Sequence, residues 1–310
     1  MILIPKYKDL ILPLEIPKTR LAGMYKIEAI GLDGRKRVLA DWFPNLITTN
    51  GGELIATTGG ALSWCAVGSG NATPALGNTT LQTFVAGTSN IVSQTTTAQS
   101  SAPYYSTFTA TYRFATGTAA GNLSEVGVGP NTSGTNLFSR ALILDSVGSP
   151  TTITVLSTEV LDVTYQIRNY VPTADVTGSV TIASVSYAYT LRAQNATNSN
   201  WAYTGTNTLS STPQSVVYNG SIAAVTGSPS GATGGGPNGT YSSYSAGSRT
   251  AVANYAFAIT DGNVAGGISA ISFIFNGMAY YQVGVSPSIP KDSTKTMTLS
   301  ASTSWNINVP

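Results

Sequence analysis

The sequence has no histidine, a single cysteine and very few charges. Its 310 residues include 15 Lys and Arg and 13 Asp and Glu, 9% together, against roughly 25% in an ordinary soluble domain. Without an imidazole there is no Ser-His-Asp triad and no histidine acid–base catalysis. With one cysteine there is no intrachain disulfide and no thiolate zinc site, and a Cys65 nucleophile would lack its usual base. Flanked by Trp64 and Ala66, Cys65 reads as a small buried hydrophobe. No cofactor is expected. The net charge of +2 gives no electrostatic reason to expect nucleic acid. No window approaches the ~18 apolar residues of a membrane span, so membrane insertion is not expected. The start, Met1-Ile2-Leu3-Ile4-Pro5-Lys6, is too short an apolar run for a signal peptide. The expectation is synthesis in a reducing cytoplasm, with lysis as the only way out.

The charges present are unevenly spread. Residues 1–53 hold eight basic and six acidic side chains, residues 54–112 hold none, and residues 193–290 hold only Arg249 and Asp261. Surface in the charge-free regions must be wetted by Ser, Thr, Asn and Gly, or covered by other chains. Disorder does not explain the composition, because 16 Tyr, 8 Phe and 4 Trp accompany abundant β-branched residues. Arg35-Lys36-Arg37 reads as a solvated turn.

Period two dominates the chain. In 104–114 Tyr104, Phe108, Ala110, Tyr112 and Phe114 share one face; in 159–168 Leu161, Val163, Tyr165 and Ile167 do; in 297–309 Met297, Leu299, Ala301, Trp305, Ile307 and Val309 do. One face in and one face wet predicts antiparallel sheets. Residues 25–42 predict a hairpin around Asp33-Gly34. A phase change in 179–192 predicts a β-bulge near Ala183-Ser184. A short helix can be drawn in 45–56, weakened by Gly51-Gly52. The fold class expected is all-β, with antiparallel sandwiches, two of them, and long Gly/Ser-rich loops. The division expected is an extended arm at 1–20, an N-terminal β domain at 21–172, and a C-terminal sandwich at 173–310. The boundary falls at Val171-Pro172, and 193–265 is a loop-rich insertion whose 226–248 part reads as a mobile loop. Pro5, Pro13 and Pro17 keep the arm extended. Its apolar residues Ile2, Leu3, Ile4, Leu10, Ile11 and Leu12 are candidates for assembly on a neighbouring subunit or for folding back on their own domain.

Chemistry has few places left. The acids beyond residue 53 are Glu125, Asp145, Glu159, Asp162, Asp175, Asp261 and Asp292, and a glycosidase would need two of them about 5–10 Å apart. Against that, Asp162 sits on a polar strand face with Arg168 as a same-face partner, and Asp145 and Asp261 sit in turns. Asp261-Gly262-Asn263 has no following acid for a calcium loop. The glycines at 231–239 lack a Walker lysine. Trp201, Tyr203, Tyr218, Tyr241 and Tyr244 lie in or beside uncharged polar loops. They are candidate receptor or partner contacts, with a cell-surface glycan as one ligand; the alternative is packing beneath the loops.

The segment LFSRALILDSVGSPTTITVLSTEVLDVTYQIRNY (137–170) resembles one recurring in structural proteins of tailed bacteriophages, the tail-fibre and virion structural proteins. The stretches FPNLITTNGGELIA to CAVGSGNATPALGNTTLQTFVA (43–86) and VGVSPSIPKDSTKTMTLSASTSW (283–305) fit the same group. The resemblance implies a non-enzymatic virion component of the tail-fibre or baseplate type. Its partners would be copies of itself, with a trimer as the guess from fibres generally, and other virion proteins. It carries no catalytic motif. Head or collar decoration and a carbohydrate-binding receptor are the alternatives. Within 137–170 the pattern predicts a hairpin turning near Ser157-Thr158.

Overall fold

A computed structural model describes residues 13–182, 184–206, 208–275 and 277–308. The arm residues Ile2, Leu3, Ile4, Leu10, Ile11 and Leu12 lie outside them. The fold is all-β, of antiparallel sandwich type.

One long sheet organises the molecule. It contains β1 (Pro13–Glu15), β2 (Thr19–Ile30), β3 (Lys36–Pro44), β7 (Ile91–Ala98), β8 (Tyr105–Phe114), β13 (Val160–Tyr170), β18 (Thr240–Tyr241), β19 (Thr250–Phe257) and β22 (Met297–Ile307). Its order is β18-β19-β22-β2-β13-β8-β7, with β1 beside β22 and β3 beside β2. Most pairs are antiparallel, but β22 runs parallel to both β1 and β2. Along β2 and β8 the buried residues alternate, as the sequence predicts. The 25–42 hairpin forms, with Gly34 at φ +77°, a conformation glycine adopts without a Cβ clash.

Two smaller sheets cover this one. The first contains β4 (Leu46–Ile47), β5 (Trp64–Gly68), β6 (Phe84–Thr88), β10 (Glu125–Gly129) and β11 (Ser139–Leu142), in the order β4-β11-β10-β5-β6. It meets the long sheet through tyrosines. The Tyr25 and Ser139 hydroxyls are 2.7 Å apart and Tyr112 donates to the Leu62 carbonyl, while within the long sheet the Tyr25 and Tyr165 rings lie 4.9 Å apart. A buried phenol needs a partner for its hydroxyl, and here loops and strands of the facing layer supply it. The short helix α1 (Thr49–Thr57) leads out of β4, with Thr48 capping it by accepting from Gly51 N at 2.8 Å. The second covering sheet contains β14 (Val176–Ile182), β15 (Val185–Ala193), β16 (Gln214–Tyr218), β17 (Thr233–Asn238), β20 (Ile268–Phe275) and β21 (Ala279–Ile289), in the order β14-β15-β21-β20-β16-β17. Tyr255 of β19 meets Phe273 of β20 at 5.3 Å. A ribbon of β9 (Gly121–Leu123) and β12 (Ile153–Val155) completes the strands.

Four expectations need correction. First, the chain leaves the long sheet after β13, near Val171-Pro172, but returns to it in β19 and β22. Residues 173–310 therefore do not close on themselves, and one hydrophobic cluster runs through both halves. Second, the phase change in 179–192 is a hairpin turn and not a bulge: Ile182 pairs with Val185, and Ser184 takes φ +69°. Third, residues 137–170 do not form a hairpin at Ser157-Thr158. β11, β12 and β13 lie in three different sheets and none pairs with another: β11 pairs with β10 and β4, β12 with β9, and β13 with β2 and β8. Fourth, part of the 226–248 stretch is strand, because β17 and β18 fall within it. A Cβ at Gly236 would overlap the Ser215 carbonyl, so the glycine allows β17 to lie against β16. Of the arm, residues 13–16 fold back: β1 lies along the chain's own β22, Leu14 and Ile16 are buried, and Ile16 N donates to Ser302 O at 3.3 Å.

Candidate functional site

The seven open carboxylates are held by separate sets of donors. Glu125, on β10, is fully buried. It accepts from Gly70 N at 3.1 Å, Gln82 N at 3.0 Å, Thr83 N at 2.7 Å and Arg140 Nε at 2.8 Å. Arg140 on β11 is also buried, and its remaining donors reach Asn78 Oδ1 at 3.0 Å and Ala72 O at 2.9 Å. Register puts the pair on neighbouring antiparallel strands, and the 69–83 loop wraps over both. The network is satisfied internally, which leaves the carboxylate no free lone pair aimed at solvent.

Asp162 is bound by Arg113 through two contacts of 2.7 Å, a bidentate pair between directly opposed residues of β13 and β8. Arg168, the partner expected from the sequence, donates instead to Gln166 Oε1 at 2.9 Å and lies over the Tyr105 ring at 5.1 Å. Glu159 takes Arg37 at 2.9 and 3.0 Å and Leu156 N at 2.8 Å. The Leu156 amide and then the Arg37 guanidinium hold its carboxyl below the usual range. Asp175 is lowered by its hydrogen bonds from Arg192, and Asp292 by those from Lys295 and Thr294. Asp145 and Asp261 accept from backbone amides of their own turns. A glycosidase acid needs a carboxyl raised toward neutrality, and each of these three shifts runs the other way. Among the described residues no group of three or more His, Cys, Asp or Glu is placed to hold a metal. Burial raises the Cys65 thiol far above its ordinary value, which leaves it unreactive.

Two of the five aromatic candidates are interior and three are half-buried. Trp201 is 0% and Tyr203 1% exposed. The Trp201 indole donates to Gln194 O at 3.0 Å and meets Tyr281 edge-on at 5.5 Å; Tyr203 stacks on Phe138 at 5.9 Å. Tyr241 and Tyr244 are half-buried, the first beside Phe275 and the second stacked on Trp305, with its hydroxyl on Glu53 Oε2 at 3.0 Å. Tyr218 is half-buried on β16. Packing beneath long loops, the alternative reading, describes Trp201 and Tyr203, and neither offers a ring to a ligand. Uncharged loops around an aromatic signal both a contact surface and a buried anchor, so composition could not separate them.

Two uncharged surfaces went unread in the sequence. One is an open groove of about 580 Å³ on the six-stranded sheet, lined by Gly178, Tyr189, Thr190, Ile222, Gly284 and neighbouring small residues. The other is β7, whose residues Val92–Thr97 are all exposed. The charge-free run of 54–112 was the signal for the second. Neither is lined by a carboxylate, amine, guanidinium or thiol. No protein-family model matches the chain, and no match to it was found among curated proteins or solved structures.

Proposed function

We propose that this chain is a non-enzymatic structural component of a tailed-bacteriophage particle, of the tail-fibre or baseplate type, that works as a symmetric assembly of its own copies. The observation that carries the reading is where the charges go. Arg37, Arg113, Arg140 and Arg192 are each held by a carboxylate of the same chain, while whole strands of the surface carry none. Such a surface supports packing against identical neighbours, where like charges would repel. The resemblance of 43–86, 137–170 and 283–305 to virion structural proteins supplies the biological setting. Attachment to a host glycan through Trp201 and Tyr203 is not part of the proposal, because those rings are interior.

The test is immunogold electron microscopy of particles from the host lysate, with antibody raised against the recombinant chain. Label at the tail end is the expected result. Label on the head or neck makes the protein a decoration or collar component instead. Absence of the chain from both intact and dissociated particles removes the virion reading.

A further inference from the structure

An unpaired edge strand offers a row of N–H and C=O groups to any extended chain, and proteins blunt such edges with charge, proline, brevity or cover. Most edges of this fold are blunted. β3 carries Lys36, Arg37 and Asp41 and two register shifts. β17 carries Pro237. β4 and β18 are two residues long. β6 is five residues long, and its ladder with β5 has a register shift between Val67 and Gly68. β14 is weakened by Gly178, and the Asp175–Arg192 pair stands at its start.

β7 has none of these devices over most of its length. It is eight residues long, IVSQTTTA, and it ends the long sheet. Its one irregularity is a register shift at its start, between Ile91 and Ser93. The direction of its backbone groups follows from the ladder. Gln99 N donates to Tyr105 O at 2.8 Å, and opposed residues of an antiparallel pair alternate between bonded and unbonded. Thr95 faces Thr109 and Thr97 faces Thr107, so these residues turn their N–H and C=O toward β8. Gln94, Thr96 and Ala98 turn theirs to the open side.

We propose that β7 pairs with β7 of a second copy of this chain, antiparallel across a two-fold axis, so that the long sheet continues through the interface. In the register centred on Thr95, Gln94 of each copy faces Thr96 of the other, and both residues have outward amides and carbonyls to exchange. The choice of occupant follows from charge. A two-fold contact sets a strand against itself, and like charges directly opposed are destabilising. β7 and its flanks have no charge of either sign, so a copy meets no repulsion and an acidic or basic strand finds no countercharge. The outer face also continues a pattern already present. Thr97 and Thr107 hydroxyls are 2.7 Å apart and Thr111 and Thr164 hydroxyls 3.0 Å, and the pairing would extend this threonine ladder across the axis. The inference names the surface for the symmetric assembly proposed above, but it rests on the sheet geometry and the absence of charge, not on the particle reading. It is tested on the purified chain in solution, so it and the particle location fail separately.

The experiment combines sedimentation velocity with residue-resolved amide exchange on the full chain at about 10 and about 300 µM. The expected result is a dimer that grows with concentration. Amides of Gln94, Thr96 and Ala98 should slow by about tenfold or more as it forms, while those of Thr95 and Thr97 stay slow throughout. Thr96→Pro removes an outward N–H and no bond to β8, so it should lower the dimer fraction about tenfold with the circular dichroism unchanged. Gln94→Lys should weaken the dimer in a salt-dependent way. A monomer at both concentrations overturns the proposal, as does a dimer indifferent to both substitutions. Slow exchange of all five amides in the dilute monomer also overturns it, and shows that the edge is covered by the chain itself.

Discussion

Replacing Glu125 by alanine removes the acceptor that ties the 69–83 loop to the small sheet. Three backbone donors, Gly70, Gln82 and Thr83, lose their partner, and so does the Nε of Arg140. Two effects compete. Taking one ion out of the interior removes a desolvation cost, but it leaves its counterion uncompensated. The second effect dominates when the remaining charge cannot reach water, and Arg140 is 2% exposed. Breaking a buried pair from one side costs ~3–5 kcal/mol. With a urea m-value of ~3 kcal/mol/M for a chain of this size, the unfolding midpoint should fall by ~1–1.7 M. Urea titration followed by tryptophan fluorescence measures it, and amide exchange at Gly70, Gln82 and Thr83 locates the damage. Glu125→Gln keeps an acceptor in place and should lose less. A midpoint within ~0.3 M of the parent, with those three amides still protected, would refute the reasoning.

The remaining predictions concern a glycine and the pH profile. Gly51→Ala in α1 should gain ~1 kcal/mol on helix propensity alone. A Cβ there would overlap the Phe138 carbonyl, so the expected outcome is instead a loss of ~1–3 kcal/mol; a raised melting temperature would sink that argument. At high pH, burial holds the hydroxyls of Tyr25, Tyr112, Tyr165, Tyr203, Tyr255 and Tyr281 well above their ordinary value. The unfolded chain ionises its tyrosines near ~10, so stability from this source is whole below that pH and is lost as pH rises toward the folded values. At low pH, Glu159 and Asp175 have lowered carboxyls, whose contribution is present above ~4 and is lost as pH falls through the folded values. With no histidine, stability between ~5 and ~8 should be nearly flat. Phenolate absorbance rising in step with loss of circular dichroism is the expected signature; ionisation of every tyrosine near pH 10 in the folded protein would contradict it.

Alternation was legible wherever a strand has one wet face. The inward set Leu161, Val163, Tyr165 and Ile167 is buried as its spacing predicts, and the Asp33-Gly34 turn forms where expected. Pairing was not legible. The parallel contact of β22 with β1 and β2 joins residues nearly three hundred positions apart, and period two says which face is buried but not which neighbour lies alongside. The same limit explains 137–170, where three well-patterned strands sit in three sheets. Ser184 shows a second limit, since a two-residue hairpin and a bulge both reverse the parity of the pattern. The candidate site was the least legible part. Trp201 has polar neighbours in sequence, yet Asn169 Nδ2 reaches across to its carbonyl at 2.7 Å, and that long-range bond belongs to a loop drawn over the core.

The scarcity of charge constrains the fold as well as the surface. Arg140–Glu125 and Arg113–Asp162 join adjacent strands, Arg37–Glu159 joins β3 to the residue before β13, and Arg192–Asp175 joins β15 to the residue before β14. In a sheet built from threonine, serine and alanine, a strand slipped by two residues would keep its buried face and lose little. The same slip would pull Asp162 out of line with Arg113 and leave a carboxylate, 3% exposed in the native register, without its guanidinium. An unpaired ion in that position costs far more than a mismatched threonine. A few charges placed across strands thus suffice to specify pairing in an otherwise repetitive polar sequence. Setting them at those positions leaves long edges such as β7 uncharged, so the arrangement that fixes register inside the chain also leaves a surface on which a second copy meets no repulsion.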